Sequence, residues 1–401
     1  RDVKEILAEM KAYRSARNVQ ERGCLALINE FEADESNIET FFVTAGGIQV
    51  VLAAMEAHQH VENIQTRGCC ILGELCDHRT ERDQEFLVAG GIETVLKAMK
   101  TYPNNESLQC HGMFCLMLGL CTTEEEVAEA GGIEIVIGAM KTHQHESIQV
   151  QGCCILGGLA DVTTKIKVAG GIETVIKAMK TYPNHGDLQA NGMSWLTPLC
   201  TTDKDEIAEA GGIETMIQAM KMHPGVDAEA RCECCGIPVW PSVLRLGCEA
   251  LGKLVHRNTA NGDKLIAGGG IEVLMAAMTW SIQCTRSGRV FEDFEGDDSM
   301  TWENERARIV TYVCFALRQL PRASIYVDPV VVEAAMAVYD NVSLPFVNLG
   351  DNAKALLFRV QNMRRWRMYA KALGIFMILH KNAVITANHP ERKRERGEFK
   401  V

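Results

Sequence analysis

Apolar residues along the chain return at helical spacing, in blocks set apart by paired glycines. In the block that opens at Ala169, Ile172, Val175, Ile176 and Met179 fall at i, i+3, i+4 and i+7, one apolar stripe on a helix. Glu173, Thr174, Lys177 and Lys180 take the polar face. Gly170 and Gly171 precede the stripe and permit a sharp turn. Pro183, Asn184 and Gly186 stop that helix. A second helix is predicted from Leu188 through Trp195, Leu196 and Leu199, and a short segment from Asp203 to Glu209 leads into the next glycine pair. The predicted unit is a short helix, a Gly-Gly turn and two longer helices.

The unit recurs. AGGI stands at Ala45, Ala89, Ala130, Ala169 and Ala210, with AGGGI at Ala267, so successive starts lie 44, 41, 39, 41 and 57 residues apart. A self-similar period of this length marks a helical solenoid, in which each repeat buries itself against its neighbours. Residues 92–133, IETVLKAMKTYPNNESLQ…CTTEEEVAEAGGI, match 172–213, IETVIKAMKTYPNHGDLQ…CTTDKDEIAEAGGI. IQTRGCCILGEL from Ile64 matches IQVQGCCILGGL from Ile148. The copied unit was therefore a pair of repeats. Gly23, Gly68, Gly112, Gly152, Gly192 and Gly247 hold one position in six long helices. Glycine inside a helix costs about 1 kcal/mol relative to Ala, so its recurrence points to steric demand. The expectation is a second helix passing too close for a Cβ, with a ligand against the backbone as the alternative.

The order of elements resembles the armadillo repeat, closely over residues 1–280 and loosely beyond. That resemblance implies an all-α, right-handed superhelical α-solenoid of about eight armadillo-like repeats. The chain divides into the array (1–280, with an inserted loop about 225–241), an acidic linker (281–305), divergent C-terminal repeats (306–360) and a basic cap and tail (361–401).

Charge follows these divisions. The net charge is −11, yet Lys354–Val401 carries 12 Lys and Arg against 3 Glu, a net +9 that leaves −20 on the rest. An acidic array disfavours nucleic acid along its body and suits basic protein segments. The chain has 16 cysteines, but Cys69, Cys70, Cys153 and Cys154 sit in apolar helical patterns as small core residues. Reduced thiols imply an intracellular, most simply cytoplasmic, protein. Organelle targeting stays open, because the chain opens at Arg1 rather than Met. No apolar run approaches the roughly 20 residues of a transmembrane helix.

Candidate chemistry is sparse. Cys232, Cys234 and Cys235 in the first insertion, with His223, lack the spacing of zinc pairs and read as a loop. Asp297 and Asp298 in the second insertion lack a calcium-loop pattern. His58 and His60, and His143 and His145, stand in equivalent turns about 20 Å apart and read as polar turn residues. No phosphate loop, nucleophile elbow or HExxH is present. No catalytic residue, metal or cofactor is assigned.

In armadillo proteins the last helix of each repeat lines the concave groove, and the nuclear-import adaptors place a Trp and an Asn there for basic peptides. The corresponding positions are Leu25 and Asn29, Cys70 and Glu74, Phe114 and Leu118, Cys154 and Gly158, Ser194 and Pro198, Glu249 and Lys253. Only Asn29 matches the ladder, and Trp195 misses by one residue onto the core stripe. Import cargo is disfavoured, and an apolar or helical segment of another protein fits better. The expected function is a non-catalytic scaffold or adaptor. The alternative is a structural subunit of a multi-subunit complex, fastened to a membrane surface or RNA through Arg364, Arg365 and Arg367.

Overall fold

The computed structural model describes residues 2–34, 46–74, 85–119, 124–159, 163–223 and 239–283, with short runs between 36 and 41 and between 308 and 320. Every regular element among them is a helix, and the chain forms two compact units, Arg1–Tyr182 and Pro183–Val401.

The first unit holds α1 (Val3–Ala12), α2 (Arg17–Ala33), α3 (Gly47–Ala57), α4 (Glu62–Glu74), α5 (Gly91–Thr101) and α6 (Glu106–Gly119). It continues with α7 (Glu124–Glu129), α8 (Gly132–Thr142), α9 (Glu146–Gly158), α10 (Thr163–Val168) and α11 (Gly171–Thr181). Two layers result. The last helices of the repeats, α2, α4, α6 and α9, pack each on the next, and the middle helices α1, α3, α5, α8 and α11 form the second layer in the same order. The second unit repeats the plan with α12 (Gly186–Leu199), α13 (Lys204–Glu209), α14 (Gly212–Met222), α15 (Val239–Val255), α16 (Thr259–Ala267) and α17 (Gly270–Gln283). There α12 packs on α15, and α14 on α15 and α17. Helical residues between 308 and 319 lie within the helix expected from Arg306 to Leu320.

Each AGG turn has a division of labour. Its first glycine caps the middle helix with positive φ, 74° at Gly90 and 83° at Gly170, a conformation that costs glycine little. Its second lies under a side chain of the preceding short segment: Phe86 covers Gly91, and Leu265 covers Gly270. The glycines inside the long helices answer a different neighbour from the one expected. A Cβ at Gly68, Gly112, Gly152 or Gly247 would stand 2.5–2.7 Å from the Sδ of Met55, Met99, Met140 or Met220. The intruder is a methionine side chain of the preceding helix, not a helix backbone.

A buried glutamine bolts the two long helices of a repeat together. Gln65 Nε2 donates to Met55 O (2.8 Å) and His58 O (3.1 Å). Gln109 does the same to Met99 O (2.8 Å) and Tyr102 O (3.0 Å), and Gln149 to Met140 O and His143 O (2.7 Å each). These carbonyls at the helix C-terminus lack helical donors, so each glutamine satisfies two of them.

Neighbouring repeats are tied by the residue that caps each middle helix, and two kinds of tie alternate. His58 and His143 use Nε2 on Arg14 O (3.1 Å) and Pro103 O (2.8 Å). Tyr102 and Tyr182 use the phenol, on Gln59 O (3.1 Å) and on Gln144 O. In the second unit His223 Nε2 meets Pro183 O at 3.1 Å. The duplication of repeats in pairs thus carries two alternating joints. Of the turn histidines read from sequence as polar turn residues, His58 and His143 are joint residues.

Candidate interaction surface

The last helices bury one face against the middle helices and turn the other outward. On α2, α4, α6 and α9 the buried face includes Leu27, Ile64, Leu116 and Ile155, each 0% exposed. The aligned positions differ in exposure. Asn29 on α2 and Glu74 on α4 are exposed; Cys70 on α4, and Cys154 and Gly158 on α9, are half-buried. Phe114 on α6 is 44% exposed and Leu25 on α2 42%. Leu118 lies on α6 with its side chain outside the described residues. Because the four helices pack in series, these residues share one layer of the first unit.

In the second unit Ser194 and Pro198 are exposed on α12. Pro198 has no N–H, so the Ser194 carbonyl loses its helical donor. Glu249 and Lys253 on α15 form a pair (2.7 Å), with Arg245 on the far side of Glu249 at 3.5 Å. Lys253 also reaches Thr197 O at 3.5 Å. Its charge is therefore spent within the unit, which sequence could not reveal. Trp195 is 4% exposed, in keeping with its place on the core stripe.

Two thiols of this layer, Cys70 and Cys110, do not suit nucleophilic chemistry. Burial pushes Cys70 up to about 11, helped by Glu74, Cys115 and Glu32, and burial also raises Cys110. Such thiols stay protonated near neutral pH and are poor nucleophiles. Among the described residues no cluster of three or more His, Cys, Asp or Glu could hold a metal, and no helix is long and apolar enough to cross a membrane. His223 is engaged in a joint; Cys232, Cys234 and Cys235, with Arg364, Arg365 and Arg367, lie outside the described residues.

Helices packed in two layers, repeat upon repeat, make an α-solenoid, an architecture that typically offers extended surfaces to other proteins. Residues 1–130 match the family model LRRK2 ARM repeat. A solved structure from work on the phosphorylation switch that controls the interaction between cadherin and beta-catenin aligns with TM-score 0.58 and 14% identity, over 97% of this chain and 80% of its own. An engineered protein aligns with TM-score 0.45 and 15% identity, over 63% of this chain and 98% of its own. No curated protein sequence matches the chain. Residues 1–130 are thus similar to an armadillo-repeat family, and the fold along the chain is that of the armadillo solenoid.

Proposed function

We propose that the protein is a non-catalytic scaffold or adaptor, binding a segment of another protein along the outward layer of its last helices. The observation that carries this is the exposure of two large apolar side chains on helices of this layer, Leu25 (42%) and Phe114 (44%). Exposed apolar groups aligned on packed helices favour an occupant that removes them from water. Armadillo solenoids typically serve as such platforms, and the beta-catenin neighbour comes from work on an interaction between proteins. Burial keeps the Cys70 and Cys110 thiols protonated, which argues against a nucleophilic role for those two.

The test is affinity capture with the intact chain beside a Phe114→Arg/Gly158→Arg double variant, followed by reconstitution of any captured protein in purified form. A partner held by the native chain and lost from a variant with an unchanged melting profile supports the reading. A purified partner bound equally by both places binding elsewhere and sinks it.

A further inference from the structure

We propose that the edge of the first unit formed by its AGG turns docks a helix of a separate protein, which seats apolar residues on Val88 and Val168 and a Lys or Arg on Glu129 between them. This edge is not the outward layer of the last helices, and the inference does not rest on the reading of that layer. Val88 (89%) and Val168 (86%) are the most exposed large apolar side chains among the described residues. Each directly precedes an AGG turn, and Glu129, also exposed, holds that place in the repeat between them.

Contacts between repeats set the three in a row. A Cβ at Gly132, in the turn after Glu129, would lie 3.4 Å from Leu96 Cδ2 of α5, the helix that follows Val88. Lys141 of α8 donates from Nζ to Ala169 O, next to Val168, at 3.1 Å. Each turn is thus seated on the middle helix of the repeat before it, and α5, α8 and α11 pack in that order. At roughly 10 Å between packed helices, Val88 and Val168 stand about 20 Å apart with Glu129 midway.

The fold does not ask for these side chains. At such exposure valine contributes almost no packing, and Glu129 ends α7 at the negative pole of the helix dipole. Single exposed apolar residues are common on soluble proteins, but here one returns at the same place while its neighbours change. Glu85 and Leu87 before Val88 are Lys165 and Lys167 before Val168.

Charge selects the occupant. Glu93, Glu129 and Glu134 are exposed and make no ion pair or side-chain hydrogen bond among the described residues. The Glu134 carboxylate lies at its turn, since a Cβ on Gly131 would be 3.8 Å from Oε2. A second copy of the chain fits poorly. A two-fold axis across the row or along it brings the two Glu129 side chains together, and like charges repel. A cation is favoured there instead. Lys165, Lys167 and Glu173 flank Val168, so the acidic part of the edge is at Val88 and Glu129, where the occupant's cations belong. A helix rises 1.5 Å per residue, so about 14 residues span the valines, and seven residues make nearly two full turns. Apolar residues at i and i+14, with Lys or Arg near i+7, therefore match the row on one helical face.

The experiment selects binders on the full chain from a phage library that displays one helix of about 20 residues with a randomised face. Affinities of the recovered helices are measured for the native chain, Val88→Ser/Val168→Ser, Glu129→Lys and Phe114→Arg/Gly158→Arg, with melting curves for each. The expected helices carry the apolar–cation–apolar spacing. The valine pair and Glu129→Lys should each weaken them roughly tenfold or more, added salt should weaken native binding, and the Phe114/Gly158 variant should bind as the native chain does. Helices that need the valines but bind Glu129→Lys equally well overturn the proposal. Helices lost only from the Phe114/Gly158 variant, or no helix dependent on the valines, also overturn it and leave the outward layer to its own test. Phosphatidylcholine vesicles bound through the valines would assign the edge to a lipid surface and overturn it as well.

Discussion

The turn after Tyr102 and the turn after Tyr182 descend from one duplicated segment, and they close their joints with different chemistry. In the first, Asn105 Oδ1 accepts Leu108 N–H at 2.9 Å, while its Nδ2 donates to Glu62 Oε1 (2.7 Å) and Thr66 Oγ1 (3.1 Å). His143, 7% exposed, reaches Pro103 O at 2.8 Å and holds Nδ1 3.7 Å from the Glu106 carboxylate. In the second, His185 replaces the asparagine and accepts Leu188 N–H on Nδ1 at a longer 3.4 Å. Gly186 stands where Glu106 did, so His223 keeps its bond to Pro183 O (3.1 Å) without that carboxylate. Burial disfavours the charged form of His223, the Pro183 carbonyl opposes that, and His185 adds to it. Asp187 and Lys221 are the other charged residues in the adjoining first turn of α12 and last turn of α14. One backbone joint therefore occurs in an amide-capped, carboxylate-backed form and in a two-histidine form.

The sharpest way to break the comparison is His143→Leu. It leaves the Pro103 carbonyl without its donor in a part-buried joint, and a loss of about 1 kcal/mol in urea unfolding is expected. His223→Leu, at the less buried joint, should cost less. Equal losses would mean that burial does not distinguish the two. Asn105→Ala comes next. It removes a helix cap and two ties to α4, so about 1 kcal/mol is expected, with faster amide exchange at the start of α6. An unchanged exchange rate there would show that the cap contributes nothing.

The smallest effect is in pH. The His223 pKa is lowered in the folded chain, so the unfolded state binds more protons between the folded value and the ordinary 6.5. The stability this residue contributes is complete above about 6.5 and is lost as pH falls through that value toward the folded one. Exchange at the start of α12 should therefore rise on acidification while that at the start of α6 changes less. Gly186→Glu restores the missing carboxylate and should flatten the difference. Equal pH responses at the two helix starts, or no effect of Gly186→Glu, would contradict this account of the joints.

Much of the architecture was legible before any coordinate. AGGI marks turns because paired glycines have few other uses between apolar helical stripes, and the helix boundaries around Ile172 and Leu188 follow from spacing and breakers. The recurring helix glycines were legible as a steric demand. Their neighbour was not, since nothing local in Gly112 names Met99. The glutamines at 65, 109 and 149 lay in plain view as a repeated pair with a preceding apolar residue. Their role needs the distance to a carbonyl six to ten residues back. The outward positions could be aligned from sequence, but the exposure of Phe114 and the pairing of Lys253 with Glu249 depend on contacts between helices.

Periodicity and glycine placement act through the backbone and the nearest turn, so the amino-acid order settles the repeat, its turns and its pairwise duplication. Which atoms meet across repeats is a matter of how stacked helices align side chains about 40 residues apart in the chain. That alignment sets the Glu106 carboxylate beside His143, puts methionine sulfur against glycine, and leaves Phe114 exposed. Such pairings arise from packing geometry, because hydrogen bonds and van der Waals contacts turn on fractions of an ångström that no one-dimensional pattern carries.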